Sequence, residues 1–108
     1  VHYADLEGDE YYDLAKKYMP DGTCGVLAFG IKGGRSASIA FMDKLKLVSI
    51  VTHVADAKTC LLHPASHTHR QLTDKQLEEA GIAPDLIRLS VGIEDVNDII
   101  NDLKQALA

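Results

Sequence analysis

Four residues, Ala55-Asp56-Ala57-Lys58, are all that separate two stretches of strand-forming sequence, and this short link constrains the fold more than any other feature of the chain. Residues 47–54 are rich in β-branched side chains, with Val48, Ile50 and Val54 alternating against Ser49, Val51 and His53. Thr59-Cys60-Leu61-Leu62-His63 follows, and Pro64 closes it. A helical crossover between parallel neighbours needs about a dozen residues. The link is too tight for one, which argues against a doubly wound sheet.

The remaining patterns fill in an α+β architecture. Tyr11, Leu14, Ala15 and Tyr18 recur at helical spacing before Pro20 and Gly22 end the run. Gly25-Val26-Leu27-Ala28-Phe29-Gly30-Ile31 is a continuous apolar stretch of strand length. Lys32-Gly33-Gly34-Arg35 then turns the chain through positive φ, and Ser36 is placed to cap a helix with Ala37, Ala40, Phe41 and Leu45 on its apolar side. Thr73-Asp74-Lys75-Gln76 is a capping box for a helix ended by Gly81. After Pro84 comes a strand through Leu86-Ile87-Arg88-Leu89-Ser90-Val91, then a helix capped by Asp95 with Val96, Ile99, Ile100, Leu103 and Ala106 or Leu107 as its stripe. The expected fold is α+β, a small mostly antiparallel sheet with helices packed on one face. Residues 1–10 lack periodicity and read as a linker entering a domain formed by residues 11–108. A chain of 108 residues holds one core.

Composition excludes several partner classes. A net charge of −5 argues against a nucleic-acid backbone as ligand, which needs clustered Lys and Arg. No apolar run is long enough to span a bilayer and no secretory signal opens the chain. The two cysteines, Cys24 and Cys60, form no disulfide or zinc pattern, so a reducing cytoplasm is the expected compartment. Both are expected at apolar strand positions, where a thiol is inert.

One charged residue interrupts an apolar strand. Ile87, Leu89 and Val91 share a face by the two-residue period, so Arg88 and Ser90 point to the other. Solvent or a salt bridge would accommodate Arg88. So would a carboxylate, for which the planar guanidinium fork is well shaped. His63, His67 and His69 lie close in sequence, but no acid or cysteine in that segment completes a metal ligand set, and a structural role is expected. Lys32-Gly33-Gly34-Arg35 lacks the phosphate-loop pattern, and neither Ser66 nor Ser90 sits in a nucleophile elbow.

Several blocks taken in order resemble a family. Phe29-Gly30-Ile31-Lys32-Gly33-Gly34-Arg35, then His63-Pro64-Ala65-Ser66 with Thr68-His69, then Pro84 through Glu94 are similar to the C-terminal part of the pyridoxal-phosphate enzymes of cysteine and methionine metabolism. Within it they are most similar to the O-acetylhomoserine sulfhydrylase branch. The resemblance implies the smaller C-terminal domain of an aspartate-aminotransferase-type enzyme. It further implies a homotetrameric parent that replaces the acetoxy group of O-acetyl-L-homoserine with sulfide or a thiol, giving homocysteine or methionine. Cystathionine γ-synthase, methionine γ-lyase and a freestanding carboxylate-binding module are the alternatives. By motif position Arg88 would bind the substrate α-carboxylate, with backbone contacts from His53 and Val54. Pyridoxal 5'-phosphate would be held mainly by a domain absent from this chain, because none of the lysines here lies in a Ser-x-Thr-Lys setting; alone, the chain would be inactive. Two positions depart from the family pattern. His53-Val54-Ala55-Asp56 stands where Asn-Leu-Gly-Asp or Ser-Leu-Gly is common, and His67 where Thr or Met is common. Ala55 enters positive φ less readily than glycine, so a changed loop geometry or substrate preference is expected.

Overall fold

A computed structural model describes residues 1–108. The elements run α1 (Tyr12–Tyr18), β1 (Val26–Gly30), α2 (Gly34–Asp43), β2 (Ser49–Ile50), β3 (Cys60–Leu62), α3 (Asp74–Glu79), β4 (Leu86–Ser90) and α4 (Val96–Leu107). The strands form one sheet in the order β1-β4-β3-β2. Strand β4 is antiparallel to both of its neighbours, with Arg88 opposite Ala28 on one side and Leu62 on the other. The α+β class and the mostly antiparallel sheet are as expected, and no helix is long and apolar enough to cross a membrane.

The tight link itself behaves differently from expectation. Strands β2 and β3 pair parallel, with Ser49 opposite Cys60 and Ile50 opposite Leu61. The reason is length. Only Ser49 and Ile50 of the expected longer strand join the ladder, so the chain climbs about two residues, roughly 7 Å, before it must return. The segment between Ile50 and Cys60 covers that distance without a helix. Residues 51–54 are therefore loop, and it is this loop that meets Arg88.

Strand alternation divides the sheet cleanly. Leu61, Ile87 and Leu89 point into a core with Phe41 and Met42 of α2, Val48 before β2 and Ala106 of α4. Phe29 packs edge-on against Phe41 with ring centroids 6.0 Å apart. Cys60, Leu62, Arg88 and Ser90 face the other way, as directly opposed residues of an antiparallel pair must.

Several local expectations are corrected by packing. The α2 N-cap is Gly33 at φ +108°, which leaves Ser36 inside the helix. Ser38 and Met42 are buried while Ala40 is exposed, so the helix is rotated from its expected orientation. Ser38 is accommodated because its hydroxyl donates to the Asp85 carbonyl at 3.2 Å. In α1 only Ala15 is buried, and Tyr11, Leu14 and Tyr18 lie open. Cys24 is exposed ahead of β1, whereas Cys60 is buried in β3. The capping box at Thr73 forms as expected, with the Thr73 side chain accepting from Gln76 N–H and Gln76 Oε1 accepting from Thr73 N–H.

The buried side of α4 contains an acid. Asp102 sits between Ile99 and Ala106 on the inner stripe, whereas Val96, Ile100 and Leu107 are exposed. Its carboxylate accepts the backbone N–H groups of Lys46, Leu47 and Val48 at 2.9, 2.8 and 2.9 Å, plus the Gln105 amide at 3.0 Å. Burial alone would push this carboxyl up, but the converging backbone donors outweigh it and hold the group below its ordinary 3.8.

A second polar knot ties β4 to β3. The Thr59 N–H and hydroxyl donate to Glu94 at 2.8 and 2.6 Å, and Gly92 N–H donates to the Thr59 hydroxyl at 2.9 Å. The approach is close: a Cβ on Gly92 would lie 2.3 Å from the Ala57 carbonyl oxygen and 2.5 Å from Thr59 N. At the opposite edge His2 exchanges backbone hydrogen bonds with Ala28, at 2.7 and 3.0 Å, so the first residues run along the outer edge of β1.

Candidate functional site

Arg88 projects from the central strand onto the face it shares with Cys60, Leu62 and Ser90, opposite the main core cluster, partly buried and without an acidic partner. Its Nη2 donates to the Thr52 carbonyl at 2.9 Å and to the His53 carbonyl at 3.3 Å. The other donors are unspent. Nε is shielded from solvent and meets no acceptor, and an unsatisfied buried donor is costly unless something completes it. Beside the guanidinium lies a cavity of about 420 Å³, walled by Val26 and Ala28 of β1 and by Tyr3, Glu10 and Tyr11. The arginine thus has Nη2 anchored to protein and Nε shielded, which leaves Nη1 available to an anion.

The structure brings Arg88 and His53 together, but through the His53 carbonyl. In a trans peptide the N–H points opposite the C=O, so the His53 and Val54 amides face away from the guanidinium. Neither amide makes a hydrogen bond within the chain. Val54 is 50% exposed on the same turn. Ala55 does enter the left-handed region, at φ +58°. Its N–H donates to the Ser90 hydroxyl at 3.1 Å. The turn that glycine would form without strain is kept here with alanine.

The histidine segment is a structural pin. His63 is fully buried, with Nε2 2.7 Å from the Pro84 carbonyl and Nδ1 2.7 Å from the Ser66 hydroxyl. A carbonyl only accepts, so Nε2 carries the proton and Nδ1 accepts from Ser66. Both ring nitrogens are committed, which leaves none for a metal. Burial pushes the His63 pKa below 6.5, opposed in part by the Pro84 bond. Cys60 is also buried, its thiol pushed up by desolvation, and donates to the Lys58 carbonyl at 3.0 Å. Arg35 holds the Ala65 carbonyl at 2.9 Å and pairs with Asp74, so it too is spent on structure.

The model of the Cys/Met metabolism PLP-dependent enzyme family matches residues 1–108. The chain belongs to this family. It is 44% identical over 108 residues to the O-acetyl-L-homoserine sulfhydrylase 1 of Thermus thermophilus, covering 100% of this chain and 26% of that protein. To the homocysteine synthase of Schizosaccharomyces pombe it is 49% identical over 107 residues, covering 99% and 25%. An L-methionine gamma-lyase of Fusobacterium nucleatum is 44% identical over 107 residues, covering 99% and 27%. A crystal structure from Campylobacter jejuni, described as an O-acetylhomoserine (thiol)-lyase and holding N'-pyridoxyl-lysine-5'-monophosphate, superposes with a TM-score of 0.86 at 39% identity, over 97% of this chain and 25% of that one. The chain spans about a quarter of the length of these relatives.

Members of the family depend on pyridoxal phosphate. The residues present do not form its pocket: no lysine lines the cavity beside Arg88, and both ring nitrogens of the one fully buried histidine are engaged by protein. The chain's own contribution is the arginine, its turn and the adjoining cavity.

Proposed function

We propose that this chain is the substrate-carboxylate end of a pyridoxal-phosphate-dependent transferase. The parent enzyme replaces the acetoxy group of O-acetyl-L-homoserine with a sulfur nucleophile. The observation that supports it most is the half-used guanidinium of Arg88. Nη2 is tied to Thr52 and His53, Nε is shielded, and Nη1 remains free beside a cavity large enough for an amino acid. With Nη2 held by the loop carbonyls, a charge-assisted hydrogen bond from Nη1 fixes the position of a carboxylate against a guanidinium whose plane is already set. A substrate so held loses rotational freedom before the reaction begins, which lowers the entropic part of the barrier.

The test is kinetic, in the full-length enzyme. Arg88→Ala is expected to raise KM for the amino-acid substrate about 100-fold, the effect of losing charge-assisted hydrogen bonds. Arg88→Lys should be nearly as poor, because a single ammonium cannot both hold the Thr52 and His53 carbonyls and present a rigid planar donor to the substrate. Both variants should keep the wild-type circular dichroism spectrum. A KM unchanged in both would remove Arg88 from the site. The L-methionine gamma-lyase relative, as similar as the sulfhydrylase, supports γ-elimination as a second reading. Product analysis with and without added sulfide separates the two.

A further inference from the structure

Arg88 does not hold its pose unaided. Between Val51, bonded through its N–H to Leu61, and Ala57, whose carbonyl accepts from Ile93, the loop returns to the sheet through three hydrogen bonds. Two are those from Arg88 Nη2 to Thr52 and His53. The third runs from Ala55 N–H to the Ser90 hydroxyl. Ser90 lies two residues beyond Arg88 on the same sheet face, 2% exposed. The turn it grips contains the one non-glycine residue at positive φ, Ala55. Such a conformation persists only where the surroundings over-determine it, and the hydrogen bond to Ser90 is the contact that does so at Ala55.

We infer that Ser90 is a positioning residue for the Arg88 clamp: its hydroxyl holds the 52–55 turn, and the Thr52 and His53 carbonyls of that turn hold the guanidinium. The inference rests on the carboxylate role proposed for Arg88. Each link is an observed hydrogen bond. Without Ser90 the Ala55 N–H loses its acceptor, the left-handed residue relaxes, and the two carbonyls that anchor Nη2 move with it. The guanidinium then keeps its charge but loses its direction. Carboxylate recognition suffers, while groups acting on the rest of the substrate do not.

This separates a positioning role from simple packing. The full-length holoenzyme is assayed with O-acetyl-L-homoserine and with its α-carboxamide, which keeps the reacting end and lacks the charge. Ser90→Ala, and Ser90→Cys with similar volume but a weak acceptor, should lower the preference for the acid about tenfold, the worth of one well-placed hydrogen bond. The change should appear in KM with kcat nearly constant. Ser90→Thr, which retains the hydroxyl, should keep the preference within about twofold. Cofactor absorbance and melting temperature identify which of the Ala and Cys variants is folded for the comparison. Equal losses on both substrates, or a Thr variant as poor as Ala, would overturn the inference. Arg88→Ala is the control for the underlying reading. If it leaves the acid preference intact, the carboxylate role itself fails. If it abolishes the preference while the Ser90 variants retain theirs, only the Ser90 inference fails.

Discussion

Ala55, exposed and at φ +58°, carries backbone strain. A left-handed φ costs an L-residue about 1–2 kcal/mol, and glycine escapes that cost at the expense of a more flexible unfolded chain. Ala55→Gly is therefore expected to stabilise the fold by about 1 kcal/mol, read as a higher melting temperature, with the turn unchanged. A lower melting temperature would mean that the methyl group makes contacts outweighing the strain. Arg88 was legible at this scale. Two-residue alternation alone placed it away from Ile87 and Leu89, as observed. Its partners were not, because a backbone carbonyl at Thr52 or His53 has no signature in the amino-acid code. Ser90 did have one: a small polar residue two positions along from a functional arginine occupies the same sheet face.

Among the elements, helix α4 illustrates why the apolar stripe misleads. Ile99, Leu103 and Ala106 were visible as its inner side, but Ile100 and Leu107 prove exposed and Asp102 takes a place among the buried residues. A carboxylate within a helical apolar repeat is itself a signal, yet its partners at 46–48 lie more than fifty positions earlier and could not be inferred from spacing. Asp102→Asn puts an amide NH2 where three N–H donors converge and removes the charge they stabilise. A cost of about 3 kcal/mol is expected, measured by urea denaturation, from the loss of charge-assisted bonds in a buried setting. A loss under about 1 kcal/mol would show that the three amides find water instead. Strand β2 failed for a related reason. β-branched composition favours strand from 47 to 54, but the ladder with β3 stops at Ile50 opposite Leu61, and the residues after it form the turn at the site.

For the whole molecule, titration of buried groups sets the acid limit. His63 is neutral in the fold and its pKa is lowered from 6.5 by burial, with His67, Arg35 and Asp85 nearby. The unfolded chain binds that proton first, so this contribution is complete above pH 6.5 and is lost progressively as the pH falls below it. Asp102 is lowered from 3.8, and its contribution is present above that value and lost on further acidification. Denaturation midpoints should therefore decline first as His63 and then as the carboxylates of Glu94 and Asp102 take up protons between pH 8 and pH 3, and His63→Gln should flatten the first stage alone. A midpoint constant down to pH 4.5 in the unmodified protein would contradict the His63 assignment. The α+β class was readable from the order of segments. The parallel β2–β3 pair was not, since it depends on how soon the ladder stops.

The knot at Gly92 has a different kind of consequence. The carbonyl of Ala57 and the amide of Thr59 occupy the space a Cβ would need, and neither is a side chain that could swing aside. Of the twenty amino acids, only the one without a Cβ lets the end of β4 pass that close to the loop leading into β3. Descendants of this sequence have wide latitude at the exposed faces of α1 and α4. At position 92 they have none, unless the loop carrying Thr52, His53 and Ala55 is first rerouted, so drift at this site must change the backbone path before it changes the residue.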